Sequence, residues 1–171
     1  MKLLRKLRFD ELAPFMRSLI RAGGFCEECG QKVCFKKLIL HRRIVKFVSR
    51  LDYFSERYGP DAYFKTVELF PKDVNFDGDV NKVSNDGPYA RHFGLIETQK
   101  GHKNGLDFEI MAYRITPLGR EFLKGLARVP AYVRTYNNMV VEPASELVDV
   151  HQANKAPYDR DAVLEKKGVY R

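Results

Sequence analysis

Tryptophan is absent from this 171-residue chain, and cysteine occurs three times. An odd and small cysteine count speaks against a disulfide framework and predicts a reduced, intracellular setting. No apolar run approaches the roughly 20 residues that a membrane span needs. The opening stretch MKLLRKLRFDELAPF has neither an apolar signal core nor a small-residue cleavage site. Glycine-rich phosphate loops, Ser-His-Asp sets and Cys-His sets are missing, as are internal repeats and low-complexity tracts. These absences predict a cytoplasmic protein without catalysis.

Acidic residues are scarce at one end. Residues 1–50 carry 13 Lys+Arg against 4 Asp+Glu, while residues 51–171 carry 17 against 18. The excess behind the formal +8 therefore sits entirely in the first third. A localised basic surface suits a polyanion, most often nucleic acid. The composition, 44% hydrophobic and 30% charged, is that of a folded chain.

Apolar residues Leu12, Phe15, Met16, Leu19 and Ile20 share one helical face in FDELAPFMRSLIRAGG, with Pro14 in a first turn and Gly23-Gly24 as the stop. A longer stripe runs through Leu40, Ile44, Phe47, Val48, Leu51, Phe54 and Tyr58, ending at Gly59-Pro60. Its other faces carry Arg42, Arg43, Lys46 and Arg50. AYFKTVELF fits a short strand or a helix start. YARHFGLIE predicts a short helix stopped by Gly94. IETQKGHKNGLDFEIMAYRIT predicts a hairpin around a cationic loop, Lys100 to Gly105. In ITPLGREFLKG, Thr116 is the expected N-cap and Pro117 the first helical residue. PAYVRTYNNMVVEP reads as a strand, and the polar residues after it as an arm or loose tail. The expected divisions are 1–37, a basic helix plus cysteine segment; 38–142, the main domain; and 143–171, the C-terminal arm.

Cys26 and Cys29, followed by Gly30, have the spacing with which one tight turn presents two thiolates to zinc. A structural zinc takes four ligands. Cys34 can supply the third, and His41 is the nearest candidate for the fourth. Such a zinc would be structural, since no His-Glu pair at catalytic spacing accompanies the cysteines. A second acidic segment, DVNFDGDVNKVS, matches a calcium loop at Asp73, Asn75, Asp77 and Gly78, but its last position is Ser84 instead of a bidentate acid. A turn rich in Asp and Asn is the plainer expectation. Asp73, Asp77 and Asp79 are the carboxylates that a Mg²⁺-dependent nuclease would need.

The order from residue 38 is helix, mixed segment, short helix, hairpin and capped helix. That order, with ARHFGLIE, YRITPLGREFLKG and VPAYVRTYNN, resembles a winged helix-turn-helix. With the Cys-x-x-Cys-Gly knuckle, it resembles a group of uncharacterised phage and bacterial proteins. The resemblance spans roughly residues 25–165. It implies an α+β fold: a winged helix-turn-helix with an N-terminal helix and cysteine-knuckle extension. It also implies duplex DNA as partner, in transcription regulation, and the host cytoplasm as the site of action for a phage-encoded chain. Lys82, Asn85, Tyr89, Arg91 and His92 would then lie on or before the recognition helix, where Asn and Arg can pair with base edges. Lys100, His102, Lys103 and Asn104 would lie on the wing against phosphate. Arg42, Arg43 and Lys46 would add salt-sensitive affinity. Winged helices also serve as protein-interaction modules, so an inhibitor or adaptor of a host nucleic-acid machine is the rival expectation, and a metal-dependent nuclease the third. The acids Asp73, Asp77, Asp79 and Asp86 oppose phosphate next to the recognition helix.

Overall fold

The computed structural model describes residues 14–24, 34–70, 83, 85–103, 106–136 and 138–164. The protein is mixed α+β and divides into two compact units. Met1–Ile39 and Tyr132–Ser145 form the first, and Leu40–Ala131 and Glu146–Arg171 the second. This division differs from the expected cuts at residues 37 and 142. A strand late in the chain pairs with one near its start, so Tyr132–Ser145 joins the N-terminal unit.

In the first unit, α1 (Pro14–Ala22) begins on the expected proline and ends before Gly23, which has φ +75°. A three-stranded antiparallel sheet follows, in the order β1 (Lys36–Ile39), β6 (Tyr132–Tyr136), β7 (Met139–Pro143). β1 was not expected. PAYVRTYNNMVVEP, expected as one strand, is broken by a tight turn at Asn138, whose φ is +65°. Leu38 pairs with Val133, and both are buried together with Thr135. Burial alternates along β6, so Tyr132, Arg134 and Tyr136 occupy the opposite face.

The second unit is built around α2 (Arg42–Tyr58). Its predicted stripe is buried at Ile44, Phe47, Val48 and Leu51, each contributing about 1.5–3 kcal/mol by leaving water. His41 caps the helix, its Nδ1 accepting from the Arg43 N–H at 3.3 Å. The chain then forms β2 (Phe64–Lys65) and α3 (Thr66–Leu69), so AYFKTVELF is both strand and helix. A 3₁₀ helix, Gly87–Phe93, packs on α2. It stops at Gly94, which is left-handed with φ +73°, a conformation that suits glycine. β3 (Ile96–Lys103) and β4 (Leu106–Ile115) make the predicted hairpin, and the sheet order is β2-β4-β3.

α4 (Pro117–Leu123) follows as expected, with Thr116 Oγ1 accepting from the Gly119 N–H at 3.0 Å. β5 (Val129–Pro130) pairs with β8 (Leu147–Val148) in a separate two-stranded sheet. The stretch after Pro143 is not a loose tail through residue 164. α5 (Val150–Asn154) carries a capping box between Asp149 and Gln152, and α5 and α6 (Arg160–Leu164) both pack on α2. Arg160 anchors this segment by donating to Asp52 at 3.1 Å and to Glu56 at 2.5 Å. The Tyr158 and Ser49 hydroxyls lie 2.8 Å apart. Burial pushes the Tyr158 phenol up to about 12, partly offset by the Ser49 hydrogen bond.

Candidate nucleic-acid interface

The N-terminus of the 3₁₀ helix is set by a close approach. A Cβ on Gly87 would lie 2.1 Å from Phe47 Cδ2, so only glycine lets this backbone sit on the α2 ring. Phe47 in turn stacks on Phe70 at 5.8 Å and meets Tyr113 edge-on at 5.7 Å. Ala90 and Phe93 are the inward residues of the 3₁₀ helix, while Tyr89, Arg91 and His92 are half-buried. The Tyr89 and His92 rings stack at 6.3 Å, and His92 Nε2 is buried. Tyr89 and Arg91 stay partly accessible on the helix, and Asn85, just before its N-cap, is exposed.

Asp86 sits at the N-cap position and collects two groups from the start of α2. Arg43 Nη1 donates to Asp86 Oδ2 at 3.0 Å, and His41 Nε2 lies 3.7 Å from the same oxygen. The His41 pKa is lowered, chiefly because burial disfavours the imidazolium; Asp86 acts in the opposite sense, and Arg43 and Lys155 reinforce the lowering. Arg43 is therefore turned to an acid of its own chain. Arg42 is exposed and Lys46 half-buried on the same helix.

The hairpin differs from the expected cationic loop. The strands continue to Lys103 and resume at Leu106, so Lys100, Gly101, His102 and Lys103 are strand residues. In register, Lys100 faces Glu109, His102 faces Asp107 and Glu97 faces Arg114. Three Lys+Arg and three Asp+Glu fall within β3 and β4, so the hairpin is balanced in charge. Arg114 is bonded to Glu97 and to Asp61, which raises its already high pKa, chiefly through the Glu97 hydrogen bond. Phe108 and Met111 are exposed on β4, with the Phe108 ring lying across Gly101.

Of the other expected site residues, Lys82 and Asn104 lie outside the described residues, as do Cys26, Cys29 and the carboxylates Asp73, Asp77 and Asp79. Cys34 is exposed, so a metal could reach its thiol. His41 has another role here. Its Nδ1 is taken by the helix cap and its Nε2 faces Asp86, an arrangement unsuited to a fourth zinc ligand. Among the described residues, no group of three His, Cys, Asp or Glu side chains gathers as a metal site. No helix among them is long and apolar enough to cross a membrane.

Composition and motif spacing missed Asp86 as the link between α2 and the 3₁₀ helix. They also missed Tyr132, Arg134 and Lys37 as one basic and aromatic sheet face. The alternation in YVRTY was the available signal for the latter. Comparison with protein-family models, curated proteins and solved structures gives no match to this chain.

Proposed function

We propose that the second unit is a winged helix-turn-helix that binds duplex DNA, in a regulatory role without catalysis. The observation that carries this reading is the sheet order β2-β4-β3, reached through α2, β2, α3, the 3₁₀ helix and the hairpin. The short strand pairs with the returning arm of the hairpin, and under this reading the hairpin is the wing that follows the recognition helix. Asn85, Tyr89 and Arg91 are then the base-reading candidates. Lys100, Lys103, Arg42 and Lys46 are the phosphate-contacting ones. Arg42 and Lys46, the α2 cations within the basic first fifty residues, supply the salt-sensitive part of the affinity. A structural zinc on Cys26, Cys29 and Cys34 belongs to the same proposal, with the fourth ligand supplied by a residue other than His41.

The test is binding of purified protein to random duplex DNA across a salt series. Submicromolar binding at low salt that falls steeply with added salt supports duplex recognition. Absence of binding at low salt defeats it.

A second reading has its own support. The charge-balanced hairpin and the exposed Phe108 and Met111 on β4 favour a protein surface over phosphate. Under that reading the hairpin binds a component of a nucleic-acid machine, and added salt weakens binding little.

A further inference from the structure

The outward face of the β1-β6-β7 sheet has no part in the duplex reading. From β6 it presents Tyr132, Arg134 and Tyr136, and from β1 Lys37 and the exposed Ile39. At the strand rise, Tyr132 and Tyr136 are about 13 Å apart along β6, with Arg134 between them. The Lys37 ammonium rests 4.0 Å from the Tyr132 ring centre, and the Arg134 guanidinium carbon lies 6.0 Å from it. A cavity of about 480 Å³ in the same unit is lined by Arg134, Phe35, Cys34, the acid Glu142 and, from α1, Ile20 and Arg21. One acid, Glu142, sits opposite Arg134 at 3.0 Å. The unit carries ten Lys+Arg against five Asp+Glu, most of the chain's positive excess in less than a third of its length.

We infer that this sheet face is a binding site for single-stranded nucleic acid. The chemistry selects the occupant. Cations alone would accept any polyanion, duplex DNA included. Aromatic rings alternating with cations along one strand add a surface that only unpaired bases can use, because the bases of a duplex are already stacked on one another. Tyr132 is the stacking platform. The Lys37 ammonium now over its ring has the reach of a four-carbon stem, so it yields that face to a base and moves to the adjoining phosphate. Arg134 and Arg21, which line the cavity together with Glu142, are the cations offered to the next phosphate of the strand. This site stands apart from the duplex reading, since it uses other residues in another unit, and either can fail alone.

The experiment compares a labelled oligothymidylate with a random duplex, using the full chain at low salt. Photocrosslinking with a 5-iodouracil version on the wild-type protein reports the place of contact. The expected results are binding of the single strand, a crosslink in the peptide containing Tyr132, and a loss of about tenfold for Tyr132→Leu. Tyr132→Phe retains binding, and duplex affinity changes less than about twofold in both variants. Lys37→Gln, at an exposed position that tolerates the change, keeps the test open if Tyr132→Leu fails to fold. It should weaken the single strand and lower its salt slope by about one, leaving the duplex untouched. The inference is overturned if the wild-type protein ignores the single strand or if the crosslink maps elsewhere. It is equally overturned if the folded variants bind the single strand as the wild type does, or lose single strand and duplex alike, which is the behaviour of an unspecific basic surface.

Discussion

Arg43 Nη1 donates to Asp86 Oδ2 at 3.0 Å, tying the first turn of α2 to the residue that starts the 3₁₀ helix. Forty-three positions separate the two residues in sequence. The bond links the short helix to α2, and it holds a cation against an acid of the same chain.

Replacing Asp86 by Asn removes that acid and releases Arg43. Duplex affinity should rise several-fold, with a salt slope steeper by about one. The ion pair is partly exposed, so stability should fall by no more than about 1 kcal/mol. A titration by fluorescence anisotropy and a urea melt of the same sample check both numbers. Unchanged affinity would remove Arg43 from the interface.

Gly87→Ala forces a methyl into the Phe47 ring. Overpacking of this kind costs about 1–3 kcal/mol. For comparison, Leu51→Ala empties a fully buried site and costs about 2–5 kcal/mol. Urea denaturation of the two variants measures the difference. A neutral Gly87→Ala would mean that the 3₁₀ helix can lift off α2 without penalty.

Tyr158 marks the docking of the C-terminal segment. Its pKa is raised from 10.0 to about 12, so the folded state holds its proton longer than the unfolded chain does. The associated stability is complete below pH 10 and is lost as pH rises through 12. Tyr158→Phe removes that part of the alkaline dependence. It also loses the Ser49 hydrogen bond, at about 0.5–1.5 kcal/mol near neutrality. Phenolate absorbance followed through the titration should show one tyrosine fewer ionising late in the variant. Loss of a tyrosine that ionises near pH 10 instead would place Tyr158 in solvent.

The cysteine knuckle makes a compositional prediction. Metal analysis of the purified protein should find about one zinc per chain, and Cys29→Ser should lose it. His41→Asn should keep the metal, since Asn also caps helices and the imidazole is engaged with Arg43 and Asp86. Loss of zinc on His41→Asn would return that histidine to the ligand set.

Lys100 is exposed near the end of β3. Lys100→Ala should reduce the duplex salt slope by about one and weaken all duplex sequences alike, which marks a phosphate contact. Arg91→Ala should weaken sequences unequally if Arg91 reads a base edge. A competition assay with several duplexes separates the two patterns.

Local chemistry by itself determined several elements of this protein. The apolar stripe from Ile44 to Leu51 dictates α2, Thr116-Pro117 dictates the start of α4, and Gly94 dictates the end of the 3₁₀ helix. These signals act within a few residues, where capping, helical periodicity and left-handed backbone leave few alternatives. Pairings between distant segments required the tertiary structure. The β1 strand exists because Lys36–Ile39 meets Tyr132–Thr135, and four residues of KKLI have no strand signal until a partner supplies the hydrogen bonds. The polar C-terminal segment is held against α2 because Arg160 finds Asp52 and Glu56 there. The cations expected on the hairpin were legible as residues, but the acids across from them depend on register, which two strands settle together. Charge can be counted along a chain, whereas its neutralisation depends on which side chains the fold makes neighbours.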